Sequence, residues 1–201
     1  VAENNWREPA TPVDFFTAKA DVWTLLQQAG LNPDVLTVSA EAPPWYHPGQ
    51  SGAIRLGKNI LAQFGVLHPQ VLKQWDIDFP VAAFEIFTDN LPPAKAKKTS
   101  TKASLILNPL QPVTRDFAFV VSNDIAADMV LKAAKNVDKN LITNIALFDV
   151  YAGKGMAENH RSLAFTITLQ PTNNTLTDAE IETVSKNIVT AVEKIGGQLR
   201  G

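Results

Sequence analysis

The feature that most constrains this chain is a change of hydrophobic period that recurs through its last hundred residues. Residues 115–121 alternate in strand fashion, and residues 124–137 then place Met129, Val130, Ala133 and Val137 at helical spacing. Two more alternating runs follow at 144–151 and 161–170. Thr177 and Glu180 have the three-residue spacing of a helix-opening capping box, and Ile181, Val184, Ile188, Val192 and Ile195 form one apolar stripe behind it. Gly196 and Gly197 end that helix, and residues 198–200 make a short last strand.

The order strand, helix, strand, strand, helix, strand predicts an α+β fold of the ferredoxin-like kind, an antiparallel four-stranded sheet with both helices on one face. Side chains alternate across a strand, so each run divides into a core set and an outer set. Phe117, Phe119 and Val121, Phe148 and Val150, and Leu163, Phe165, Ile167 and Leu169 are expected to meet the helices, where burial is worth most. The other face then presents Asp116, Ala118 and Val120, Leu147, Asp149 and Tyr151, and Ser162, Ala164, Thr166 and Thr168. Small side chains let a flat ring approach, and Tyr151 supplies a stacking partner for an unpaired base. The Asp149 carboxylate is acceptor-only and suits the ring N–H and amino group of guanine. A solvent-facing sheet, or one that pairs with another subunit, fits the same spacing.

The first part reads differently. Phe15, Ala18, Val22, Leu25, Leu26 and Ala29 recur at helical spacing between a capping Asp14 and a terminating Gly30. Strands are expected at 36–40, 53–56, 60–67 and 81–87, with a tight hairpin at Gly57-Lys58-Asn59. A short helix from Pro69 is expected to bury Val71, Leu72 and Trp75. Trp23, Trp45 and Trp75 are expected in a core or a subunit interface rather than as stacking platforms. The segment 48–52 reads as a turn feeding a strand.

Charge separates the parts. Residues 1–91 carry net −5, residues 92–107 carry Lys95, Lys97, Lys98 and Lys102 with no acid, and residues 108–201 carry net −1. The proline- and lysine-rich 92–107 segment resists helix and favours extension, as a solvated linker or as a strap that touches phosphate. A net charge of −2 argues against coating nucleic acid or membrane by charge alone. With no cysteine, disulfides, thiolate metal sites and cysteine nucleophiles are excluded. His47, His68 and His160 have no partner at metal-ligand spacing, and no phosphate loop or nucleophile elbow occurs. No apolar run is long enough for a bilayer span, and the Val1 start is expected of a piece of something longer.

Several motifs resemble a known family. Pro112-Val-Thr-Arg115-Asp116-Phe-Ala-Phe-Val, Phe148-Asp-Val-Tyr151-Ala-Gly153, Arg161-Ser-Leu-Ala164, Gln170-Pro171, Thr175-Leu-Thr-Asp178-Ala-Glu180-Ile181 and Gly197-Gln-Leu-Arg200 are similar to the ferredoxin-fold anticodon-binding domain that ends the β subunit of bacterial phenylalanyl-tRNA synthetase. Upstream, Asp14-Phe-Phe-Thr-Ala-Lys19, His47-Pro-Gly-Gln-Ser51 and Phe64-Gly-Val-Leu-His68-Pro69 resemble the end of the same subunit's class II-like module. The resemblance implies a non-catalytic module over 1–91, the linker 92–107 and the anticodon-binding domain over 108–201. It implies no catalytic and no metal residue in this chain, with ATP, Mg2+ and the activation chemistry elsewhere in a cytoplasmic (αβ)2 holoenzyme. The partners implied are the α subunit and tRNA(Phe), whose first anticodon base is guanine, with no membrane. On the matching motifs the contacts to that base fall on Ala118, Asp149, Tyr151 and Ser162. Arg115, Lys154, Arg161 and Arg200 are expected to flank the outer face as candidate phosphate contacts. A ferredoxin-like module for protein interaction or small ligands, without RNA specificity, is the competing expectation.

Overall fold

The computed structural model describes residues 6, 9, 12–93, 104 and 107–200. The chain divides into two compact units, Val1–Thr101 and Lys102–Gly201. The linker expected over 92–107 lies outside the described residues except at 92, 93, 104 and 107, and its four lysines are all outside.

In the first unit, helix α1 (Phe15–Gln28) is opened by Asp14, whose carboxylate accepts the Thr17 N–H at 2.7 Å. That bond, helped by the Thr17 hydroxyl, holds the Asp14 carboxyl below its ordinary value. Gly30, at φ 90°, takes the chain out of the helix through a conformation that side chains disfavour. Strands β1 (Thr37–Ser39), β2 (Tyr46–Leu56) and β3 (Asn59–Leu67) precede a short helix α2 (Pro69–Gln74) and strand β4 (Ala82–Ile86). They form an antiparallel sheet in the order β1-β2-β3-β4. Leu56 pairs with Asn59, so the turn is the two-residue Gly57-Lys58 with φ 59° at Gly57. The apolar stripe of α1, Ala18, Val22 and Leu26, is buried with Ile54, Leu61, Ala62 and Phe64 of the sheet.

Two expectations change in this unit. Residues 48–52 lie inside β2, and the ladder absorbs them through a register irregularity between Tyr46 and Ser51. Leu72 is buried on α2, but Trp75 is 75% exposed, because the helix stops at Gln74 and Asp76 turns the chain at φ 56°. Trp23 packs against the core, whereas Trp45 is exposed.

The second unit contains β5 (Val113–Ser122), α3 (Ala127–Lys135), β6 (Ile142–Tyr151), β7 (His160–Leu169), α4 (Asp178–Glu193) and β8 (Gln198–Leu199). The strands lie in the order β6-β7-β5-β8 with every neighbouring pair antiparallel, the ferredoxin-like arrangement. Phe119, Val121, Leu163, Phe165, Ile167 and Leu169 close against Val130 and Ala134 of α3 and Ile181, Ile188 and Val192 of α4. The Phe117, Phe119 and Phe165 rings stack at centroid separations of 5.7–6.2 Å. The capping box is complete: Glu180 accepts the Thr177 N–H at 2.8 Å, and the Thr177 hydroxyl oxygen accepts the Glu180 N–H at 3.3 Å.

Helix α3 starts three residues later than its apolar spacing suggests, because Ser122 and Asp124 hydrogen-bond each other in a turn. Its buried residues are Val130 and Ala134, and Met129 points to solvent. The larger correction is in β6. Leu147 pairs with Phe165 and Asp149 with Ala164, so Phe148 is an extra, bulged residue. Leu147 therefore lies on the helix side rather than the outer side, and Phe148 is 59% exposed rather than in the core.

Candidate nucleic-acid interface

The helices of the second unit bury one face of its sheet, and the ladder register fixes what stands on the other. One row across the strands runs Tyr151, Ser162, Val120 and Gln198. The next runs Asp149, Ala164 and Ala118, and the Arg200 N–H closes it by donating to the Ala118 carbonyl at 2.8 Å. Ala118, Ala164 and Ser162 thus form a low floor, with Asp149 and Tyr151 rising on the β6 side and Arg200 on the β8 side. A third row adds Asp116, which accepts the Thr166 hydroxyl at 2.6 Å.

The floor is narrow enough to be bridged. The Arg200 guanidinium carbon lies 6.0 Å from the Tyr151 ring centre, a cation–π distance. The Tyr151 hydroxyl donates to the Lys154 carbonyl at 3.0 Å, which anchors the ring at its far end. Ser162 is 3% exposed and sits in the floor directly across the ladder from Tyr151. Asp149 is exposed, with its carboxylate available to an incoming donor.

The arginines sort differently from the expectation that all flank this face. Arg115 pairs with buried Ile167, and Arg161 with buried Val121, so both leave the sheet on the helix side. Arg161 is committed there, donating to the Ile125 carbonyl at 2.9 Å. Strand parity contains this signal, since Arg115 shares the parity of Phe117 and Arg161 that of Leu163. Lys154 sits in the loop after β6, where its carbonyl holds Tyr151. Arg200 alone of the three arginines belongs to the outer face, at its β8 edge. Sequence reasoning gave no role to Gly153, which packs beneath the Tyr151 phenol.

Two family models match this chain in succession. Residues 1–88 match the phenylalanyl tRNA synthetase beta chain CLM domain, and residues 109–200 match the ferredoxin-fold anticodon binding domain. The chain belongs to the phenylalanyl-tRNA synthetase β-chain family. The phenylalanine–tRNA ligase beta subunit of Paramagnetospirillum magneticum is 52% identical over 198 residues, covering 98% of this chain and 25% of the relative. The protein of the same name from Rhodospirillum rubrum is 48% identical over 201 residues, covering 100% and 25%. That from Rhodopseudomonas palustris is 45% identical over 195 residues, covering 96% and 24%. The chain therefore spans about a quarter of the length of these curated relatives.

Proposed function

We propose that this chain is the C-terminal part of a phenylalanine–tRNA ligase β subunit, and that its second unit binds the anticodon of tRNA(Phe). Tyr151 stacks on the guanine at the first anticodon position, and Asp149 accepts from its ring N–H and amino group. Ala118 and Ala164 give the ring clearance, and Ser162 offers a hydroxyl from the floor. Arg200 supplies the cation that partly offsets Asp149 and Asp116 on the same face. The observation that carries this reading is the low floor of Ala118, Ala164 and Ser162, with a tyrosine and a carboxylate along one side.

The chain's part is recognition, and the ligation chemistry belongs to the holoenzyme formed with an α subunit as an (αβ)2 assembly in the cytoplasm. Among the described residues no group of three or more His, Asp or Glu side chains could hold a metal ion. In this reading magnesium and ATP are held by the rest of the holoenzyme. Among the described residues, too, no helix is long and apolar enough to cross a membrane.

The test is tRNA charging by an α subunit paired with the complete β subunit that carries Tyr151→Ala or Asp149→Ala. Each substitution should raise the KM for tRNA(Phe) and leave tRNA-independent amino-acid activation unchanged. Damaged activation with intact tRNA binding would refute the assignment.

A further inference from the structure

Tyr151 is held from below as well as across the sheet. A Cβ at Gly153 would stand 3.1 Å from the Tyr151 hydroxyl oxygen and 3.2 Å from Cζ, with Cε2 at 3.6 Å. A shift of the ring works against two ties, the bond of its hydroxyl to the Lys154 carbonyl at 3.0 Å and the Arg200 guanidinium 6.0 Å from its centre. The backbone does not explain this glycine. Gly155, two residues on, has φ 93° and needs glycine for its conformation, whereas Gly153 has no positive φ. What Gly153 provides is the absence of a side chain under the phenol.

We propose that Gly153 is a positioning residue for Tyr151: it lets the phenol lie back on the 153–154 turn, so that the ring is fixed in its stacking orientation before RNA arrives. The hydroxyl's bond to Lys154 and the contact with Gly153 together restrict the ring to one arrangement. Pre-ordering of this kind lowers the cost of immobilising a side chain on binding. A methyl group at 153 must push the phenol a few tenths of an ångström away from the turn, which strains its bond to Lys154 and tilts the stacking surface. The proposal rests on the reading of Tyr151 as the stacking platform, and its test separates the two.

The complete β subunit, paired with its α subunit, is prepared with Gly153→Ala, with Tyr151→Ala and with both, and tRNA(Phe) affinity and melting temperature are measured. Gly153→Ala should weaken tRNA binding by about threefold or more and have no further effect in the Tyr151→Ala background, the non-additivity of residues that act through one another. Amino-acid activation should be unchanged in Gly153→Ala. An equal loss in both backgrounds, or a melting decrease shared by both, would assign Gly153 to the turn itself and overturn the proposal. Unchanged affinity in Gly153→Ala would also overturn it. If Tyr151→Ala itself leaves affinity unchanged, the stacking reading fails, and the proposal fails with it.

Discussion

The guanidinium carbon of Arg200 lies 6.0 Å from the ring centre of Tyr151, although Tyr151 ends one edge strand of a four-stranded sheet and Arg200 follows the opposite one. The meeting is possible because Ala118, Ala164 and Ser162 leave the space between them empty of large side chains. Arg200 should therefore act through its plane as well as its charge. Arg200→Lys keeps the charge and loses the flat, weakly hydrated surface that stacks on aromatic faces. It should weaken tRNA binding by about twofold to fivefold, nearly as much as Arg200→Ala, on the usual scale of an exposed cation–π contact. Salt titrations of tRNA affinity provide the check: a pure phosphate role would leave the Lys variant equal to wild type and flatten the salt slope only in the Ala variant.

Asp149 makes a sharper prediction about the base. Its carboxylate can accept from both the ring N–H and the amino group of guanine, whereas inosine retains only the first donor. The wild-type protein should prefer a guanine-first anticodon over an inosine-first one by about tenfold, the range of a hydrogen bond to a charged group. Asp149→Asn replaces one acceptor with a donor and should remove that preference while leaving the stacking contribution of Tyr151. Competition binding with the two anticodon variants of tRNA(Phe) measures the ratio directly. A preference that persists in the Asn variant would move the reading of the base elsewhere.

The fold was legible where periodicity is unbroken. In β7 the alternation from Leu163 to Leu169 puts four apolar residues inward, and all four are buried. The capping box at Thr177 and Glu180 announced α4 to the residue, because a cap is a local hydrogen-bond pattern that sequence spacing specifies. In β6 the same logic failed at the bulge, and Val150, although it pairs with buried Leu163, is 51% exposed near the strand's end. An alternation counted straight through the strand puts Leu147 outside and Phe148 inside, and the bulge reverses both. Asp149 and Tyr151 lie beyond the bulge, so their side of the sheet agreed with simple alternation. Arg115 and Arg161 lie on the helix side for another reason: Arg115 has the strand parity of Phe117, and Arg161 that of Leu163. Trp75 lies outside the core because α2 ends one residue before it, which apolar spacing does not show.

The bulge predicts a contrast in stability between two phenylalanines. Phe165 is fully buried against Phe117 and Phe119, and Phe165→Ala should cost about 3–5 kcal/mol, as for other core aromatic truncations. Phe148 is 59% exposed and pairs with nothing across the ladder, so Phe148→Ala should cost under about 1 kcal/mol. Urea unfolding of the two variants decides the matter. A similar loss in both would mean that Phe148 packs into the core and that the ladder has no extra residue.

The capping box gives the pH dependence a sign. The Thr177 N–H, and then its hydroxyl, donate to the Glu180 carboxylate and lower its pKa from the ordinary 4.5. Lys186 lowers that of Glu182 in the same helix through a hydrogen bond and its charge. A group whose pKa is lower in the folded state binds fewer protons there than in the unfolded state, so its contribution is complete above the unfolded value and declines as pH falls through the folded one. The melting temperature of the chain should therefore fall on acidification below 4.5, and Glu180→Gln should make that fall shallower. At neutral pH, Thr177→Ala removes the hydroxyl that caps the Glu180 N–H and should cost about 1 kcal/mol, or about 4–8 °C for a unit of this size. Because part of that loss arises from the carboxylate's partner, the gap between Thr177→Ala and wild type should narrow at acid pH. A gap that stays constant from neutral to acid pH would show that the hydroxyl acts on the helix backbone alone and that the Glu180 carboxylate contributes nothing to the cap.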